Sequence, residues 1–155
     1  DLASPHYNLA TLLQKQGRLE EAERQYRAAL ALSSDPLEIV RSHNNLGILY
    51  LGERKYAEAL AQLNAAISLD PNQQNSYIGR GTAEMQTMKV DAAIADFAKA
   101  AQIAPSPLAL YWLGRALEMK GELQKAEAAY EAALRLAPQM ADARARLAAL
   151  QSGLK

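Results

Sequence analysis

Apolar residues return at intervals of three and four along almost the whole chain, the spacing that lines one face of a helix. Leu9, Leu12 and Leu13 share one such stripe. After a break at Gly17, residues Leu19, Ala22, Tyr26, Ala29 and Leu30 form another. No segment shows the strict alternation of a half-buried strand. Asp35-Pro36, Asp70-Pro71 and Ala104-Pro105 each precede a fresh helix, since proline suits a first turn where its missing N–H would go unpaired. Gly17, Gly52 and Gly121 stand where the first helix of a pair should stop. The pattern predicts paired helices near 4–16, 19–33, 36–51, 55–69, 73–87, 90–103, 107–120 and 123–136, with a further one near 139–151.

A stricter register lies inside this periodicity. A small residue is followed twelve positions later by Ala and seven after that by Ala again: Ala10-Ala22-Ala29, Gly47-Ala59-Ala66, Gly81-Ala93-Ala100 and Gly114-Ala126-Ala133. The sets recur every 37, 34 and 33 residues, a period that marks a solenoid of helix pairs. Generic Ala-rich composition would not keep both intervals. Small residues on facing helices, such as Gly47 and Ala59, let two backbones approach, and a larger side chain would overpack at a cost of about 1–3 kcal/mol. Arrays of this kind present a groove and seldom do chemistry.

At these residues the chain resembles the tetratricopeptide repeat family. Its unit has a large residue, then Leu-Gly or Leu-Ala, Tyr, Gly, Ala, an aromatic, Ala and Pro. One unit reads His43-Asn44-Asn45-Leu46-Gly47, then Tyr50, Ala59, Leu63, Ala66 and Pro71. Another reads Leu110-Tyr111-Trp112-Leu113-Gly114, then Leu117, Gly121, Ala126, Tyr130, Ala133 and Pro138. Leu9-Ala10, Gly17, Ala22, Tyr26 and Ala29 match in the first unit, and Tyr77, Gly81, Ala93, Phe97, Ala100 and Pro105 in the third. The resemblance implies an all-α fold, a right-handed superhelical α-solenoid of antiparallel helix pairs. It covers a single array with repeats at 3–36, 40–73, 74–106 and 107–140, closed by a capping helix at 139–151. That last segment interleaves Ala141, Ala145, Leu147, Ala148 and Leu150 with Arg144, Arg146 and Gln151, as a helix with one apolar and one polar face should.

Two departures stand out. Pro36 follows Ala29 by seven residues where the other prolines follow by five, so the second pair's first helix should gain most of a turn, from Pro36 through Ile39. Arg80 and Glu84 replace the usual Leu and Tyr. Four apart on one helix, they are expected to form an ion pair, worth about 0.3–0.5 kcal/mol if exposed.

The resemblance also implies a ligand face. In the family the first helix of each pair lines the concave side through its second, fifth, sixth, ninth and twelfth positions. Repeat one then offers Ser4, Tyr7, Asn8, Thr11 and Gln14, and repeat two Arg41, Asn44, Asn45, Ile48 and Leu51. Repeat three offers Asn75, Ile78, Gly79, Thr82 and Met85, and repeat four Leu108, Tyr111, Trp112, Arg115 and Glu118. From these, Tyr7, Asn8, Thr11, Arg41, Asn44, Asn45, Ile48, Ile78, Tyr111, Trp112 and Arg115 are the expected peptide-binding residues. Asn side chains can pair with peptide amides, while aromatic and aliphatic ones supply apolar contact. Asn8 and Asn45 share the sixth position and are similar to the asparagine ladder of O-linked N-acetylglucosamine transferases, but Gly79 and Trp112 interrupt it. Chaperone-binding members use a clamp of Lys, Asn and Arg for a terminal carboxylate. Its lysine positions hold Tyr7 and Asn75 here.

Composition narrows the partners. Seventeen basic residues balance seventeen acidic ones among 155, which argues against nucleic acid and against a polybasic membrane surface. The chain has no cysteine, so disulfides and thiolate metal sites are excluded, and cytoplasm and periplasm suit it equally. No apolar run reaches eighteen residues, so no membrane insertion by a helix is expected. The sequence opens on Asp1 almost directly at a repeat, as a piece of a longer protein or a processed one would.

Candidate chemistry is sparse. His6 and His43 are the two histidines and share one repeat position, which suits replacement of the usual bulky residue better than a metal pair. Gly79-Arg80-Gly81 lies inside a helix with no strand before it, unlike a phosphate loop. Acid pairs such as Glu20-Glu21 and Glu53/Glu58 fall on turns and outward faces. No catalytic residue, cofactor or metal is therefore expected. The leading reading is a protein–protein interaction module or scaffold that takes a partner's peptide in its concave groove. Two alternatives are a substrate-recognition arm of a larger enzyme such as a glycosyltransferase, and a scaffold that self-associates.

Overall fold

Each stripe of apolar residues forms a helix, and each helix ends where its capping chemistry allows. The computed structural model describes residues 3–153. In chain order the helices are α1 (Ala3–Lys15), α2 (Leu19–Leu32), α3 (Pro36–Gly52), α4 (Tyr56–Leu69) and α5 (Gln74–Gln86). They continue as α6 (Val90–Ile103), α7 (Pro107–Lys120), α8 (Leu123–Leu136) and α9 (Ala141–Gly153), with no strand among the described residues. Asp35 caps α3 by accepting from the Leu37 amide, and Ser106 caps α7 by accepting from that of Ala109. The longer α3 spans 17 residues against 13 in α1 and α5, which absorbs the extra spacing before Pro36.

The expected stops and starts stand, with α3 ending on Gly52 and fresh helices following Pro71 and Pro105, but the residues that make the turns differ. Gly52 ends α3 without a left-handed turn. Arg54 takes that conformation instead at φ 60°, as Met88 does at 61°, matching Gly17 at 76° and Gly121 at 83°. The reversal needs its left-handed residue at a set distance past the helix, and Gly52 comes two residues early. Pro71 and Pro105 lie in loops, and Pro36 and Pro107 stand in the first turns of α3 and α7.

Helices pack as consecutive antiparallel pairs, α1 on α2 through α7 on α8, and each second helix also packs on the first helix of the next pair. The nine register alanines are fully buried, as are Gly47, Gly81 and Gly114 within their helices. What fills the space beside the glycines differs from the expected Ala59-type contact. A Cβ at Gly47 would lie 2.6 Å from Leu63 Cγ, one at Gly81 2.9 Å from Phe97 Cε1, and one at Gly114 2.5 Å from Tyr130 Cε1. The close approach is thus between a bare backbone and the bulky residue sixteen positions on, which plugs the pair from its second helix. In the first pair Ala10 and Tyr26 hold these places, both fully buried.

α9 buries Ala143 and Leu150 and half-buries Leu147 against α8, with Gln151 bonded to Glu127 at 2.8 Å. Gln139 and Met140 lie before it in the connection.

Candidate functional site

Curvature identifies the face that a ligand could enter. α1 meets α3, α3 meets α5 and α5 meets α7, whereas no comparable run of contacts joins successive second helices among the described residues. First helices crowd together on the inner side, and side chains directed there share one concave surface.

At its first end the surface is tied by a relay. Ser76 Oγ donates to Asn44 Oδ1 at 3.0 Å, Asn44 Nδ2 to Asn45 Oδ1 at 3.1 Å, and Asn45 Nδ2 to Tyr7 Oη at 3.1 Å. The relay crosses α5, α3 and α1 in order, so it locks the spacing of three first helices. Asn44 is buried, which corrects its expected place as a free groove residue. A buried amide needs partners, and here Ser76 and Asn45 supply them. Asn45 is half-buried and Asn8 exposed, so the two sixth-position asparagines are not alike.

The ladder stops at Gly79 because no side chain fits there. A Cβ would come within 2.9 Å of Leu63 Cδ2, which reaches across from the preceding pair. At the next equivalent position Trp112 stacks on Phe97, with ring centroids 6.3 Å apart and planes 19° apart, and meets Tyr111 edge-on at 5.4 Å. Tyr111 is buried and Trp112 half-buried. Both, expected as peptide-binding residues, are packed into the core to this extent. Arg115 completes the cluster, its guanidinium 5.8 Å from the Trp112 ring and its Nη1 3.3 Å from Tyr111 Oη.

The other expected residues vary in availability. Arg41 and Ile48 are exposed, Ile48 by 40%, while Ile78 is half-buried between the apolar clusters around Phe97 and Tyr77. Thr11 is half-buried with its hydroxyl returned to the Asn8 carbonyl at 2.8 Å, and Thr82 does the same to Ile78. Twelfth-position groups serve the plug residues. Tyr26 Oη donates to Gln14 at 2.8 Å and Tyr130 Oη to Glu118 at 2.7 Å, where Arg146 of α9 also approaches at 3.4 Å. Burial pushes the Tyr26 phenol up to about 12, and burial beside the Glu118 carboxylate pushes Tyr130 up as well. Both stay donors at neutral pH.

The polar seams lie between helices, not in the groove. His6 Nδ1 pairs with Gln25 at 2.6 Å and His43 Nδ1 with Gln62 at 2.8 Å. No cluster of metal-ligating side chains occurs among the described residues. Arg80 does not pair with Glu84, which corrects the expected helical ion pair. It makes a two-pronged bond to Asp96 at 2.6 and 2.7 Å and reaches Asn64 at 2.7 Å. A planar guanidinium matches two carboxylate oxygens better across the seam than one carboxylate along its own helix. Glu84 keeps a buried oxygen without a partner, and burial, with Asp96 beside it, raises its carboxyl to about 7.

Helical periodicity could not reveal these pairs. A repeat-aligned reading could have: both His–Gln pairs span nineteen residues, and both Tyr–acceptor pairs span twelve.

Two profiles of the tetratricopeptide repeat match the chain, one over residues 1–72 and one over 44–107 and again 78–141. Among solved structures it is similar to MamA, at 23% identity and TM-score 0.82 over 93% of this chain and 83% of that one. MamA 41-end from Desulfovibrio magneticus RS-1 gives 21% and 0.85 over 98% and 85%. The first TPR of Spaghetti (RPAP3) bound to HSP90 peptide SRMEEVD gives 24% and 0.72 over 74% and 92%. At these identities the likeness carries the fold. Peptidyl-prolyl cis-trans isomerase FKBP4 of Rattus norvegicus is 29% identical over 108 residues, 62% of this chain and 24% of the relative. The chain spans about a quarter of the length of the curated relatives it matches.

Proposed function

The chain belongs to the tetratricopeptide repeat family, and from that premise we propose that it binds an extended or helical peptide of a partner protein along its concave face. The observation that carries this reading is the inner surface itself. Four first helices stand side by side and leave an exposed amide at Asn8, an exposed aliphatic at Ile48 and an aromatic–guanidinium cluster at Trp112 and Arg115. Amides can bond any peptide backbone, and the apolar groups add contact area. The neighbour that holds the HSP90 peptide supports a peptide as ligand class. A terminal-carboxylate clamp is not part of the proposal, because Tyr7 is already engaged by Asn45 and Asn75 carries no charge.

The test is selection from a peptide library, followed by titration of the best binder against three proteins. Asn8→Ala should weaken binding by about 0.5–1.5 kcal/mol, and Ile48→Arg should weaken it further, with melting unchanged in both. Unaltered affinity in both variants would move the binding surface off the concave face.

The curated relatives favour a second reading. They are isomerases in which the matched segment is 24% of the length, so the array would serve as the recognition arm of a larger enzyme. Groove physics is the same in both readings.

A further inference from the structure

One guanidinium of the concave groove has no counter-charge of its own. Among the described residues, every lysine or arginine that lacks a carboxylate partner is exposed, except Arg115, which is half-buried. Its hydrogen bond goes to the phenol hydroxyl of Tyr111, and the Trp112 ring lies 5.8 Å away. A guanidinium has five N–H donors, and one of them is used here among the described residues. The remaining planar fork matches the two oxygens of a carboxylate.

The surroundings make this more than a stray charge. Arg115 and Arg146 of α9 line one depression together with Glu118 and Met119. Glu118 does not pair with Arg115, because its carboxylate takes the Tyr130 hydroxyl at 2.7 Å and Arg146 at 3.4 Å. Two guanidiniums against one carboxylate leave that depression one positive charge in excess. Met119, 43% exposed, adds an apolar surface beside the charge. Asp142 is exposed and lines the adjoining depression. The site is interior to the array, since α5 packs on α7 and Arg146 of α9 also reaches α7.

We propose that Arg115, assisted by Arg146, binds the side-chain carboxylate of an aspartate or glutamate in the peptide that lies along the concave face, with an apolar neighbour of that residue against Met119. This site rests on the peptide reading of the groove and adds a charge preference to it. A single carboxylate fits better than a phosphate, whose charge of about two would stand against Glu118 and Asp142. A side chain fits better than a chain terminus. The surface continues past Arg115 over the exposed Ala145 and Ala149 of α9, so a ligand need not end there. Arg41, on α3, does not duplicate the site, because it is exposed and shares its depression with Asp35 and Glu38.

The test is a paired titration of the full chain. A peptide selected for binding is made with its acids intact and with each Asp or Glu replaced by Asn or Gln, both forms amidated at the C-terminus. Acidic residues should be enriched in the selection, and the amide form should bind wild type about tenfold more weakly or worse. Arg115→Gln should bind the two forms within about twofold of each other, and Arg115→Lys should restore part of the preference. The wild-type ratio stands even where Arg115→Gln lowers the melting temperature. Asn8→Ala should weaken both forms alike. If it does so while wild type binds both forms equally, or while Arg115→Gln keeps the full preference, the carboxylate site is overturned and the groove stands. If no peptide is selected, or if neither Asn8→Ala nor Ile48→Arg alters affinity, the groove reading falls and this site with it. Binding that requires a free C-terminus would overturn the site in favour of terminal-carboxylate recognition.

Discussion

The third and fourth helix pairs share one register, offset by 33 residues, and close the seam between their helices with opposite chemistry. α5 and α6 bring together Arg80, Glu84 and Asp96. α7 and α8 place Leu113, Leu117 and Ala129 at the same positions. The plugs differ in the opposite sense, apolar Phe97 in the third pair and Tyr130 bonded to Glu118 in the fourth. Both pairs nonetheless have the same helix lengths to within one residue and the same packing partners. Backbone geometry therefore depends on the small residue and its plug, and the seam tolerates whatever is satisfied within itself. Burying an ion pair is no stronger than burying a matched apolar set, but it is more fragile, because one deletion strands a charge.

The largest expected effect breaks the third seam. Asp96 is 7% exposed at its side chain, so Arg80→Ala should cost about 3 kcal/mol by leaving that carboxylate unpaired. Importing the fourth seam with Arg80→Leu and Asp96→Ala together should recover most of the loss. Denaturant midpoints of wild type, single and double variants decide it, and a double variant no better than the single would show that the seams are not interchangeable.

A smaller effect separates the plugs. Gly114→Ala should destabilise by about 1–2 kcal/mol, overpacking against a gain in helix propensity of about 1 kcal/mol. The new Cβ would meet Tyr130 at 2.5 Å, and the Glu118 bond holds that ring in place. Gly81→Ala meets Phe97 at 2.9 Å, and its phenyl ring has no hydroxyl to anchor it, so the cost should be lower. Equal thermal shifts in the two variants would remove the distinction.

The smallest effect is one of pH. Glu84 is raised from 4.5 to about 7 by burial and by Asp96, against the opposing pull of Arg80 and Lys89. The folded state thus holds this proton more tightly than the unfolded chain. Its stabilising contribution is complete below about 4.5 and is lost as pH rises through about 7. Discounted for partial exposure, the loss between pH 5 and pH 8 should be about 1 kcal/mol. Glu84→Leu, which copies Leu117, should flatten this part of the pH profile. An unchanged difference from wild type at the two pH values would assign the proton elsewhere.

Much of the fold was legible in the chain. Small residues twelve and seven apart, with apolar stripes between them, place every helix to within about two residues of where it stands. The candidate groove was less legible. The family's positions indicate a face, but they do not say that Asn44 is turned inward to Ser76, or that Trp112 lies against Phe97. Periodicity assigns a side chain to one side of a helix, and a groove residue on a crowded inner face can still be claimed by the neighbouring helix.

By itself the sequence determined the pairing and its pitch, because backbone approach is a steric condition that only small residues at repeated intervals meet. It also determined, through the lack of cysteine, that these 155 residues form no disulfide and no thiolate metal site. Tertiary structure alone decided which polar groups found one another. Arg80 could reach Glu84 along its helix or Asp96 across the seam, and only the spacing of α5 and α6 made the two-pronged bond the better one. Gly79 reads as a gap in a ladder until Leu63 is seen to fill the space. Helix formation is local and repeats along the chain, whereas the partner of a buried polar group depends on distances between helices that no single helix encodes.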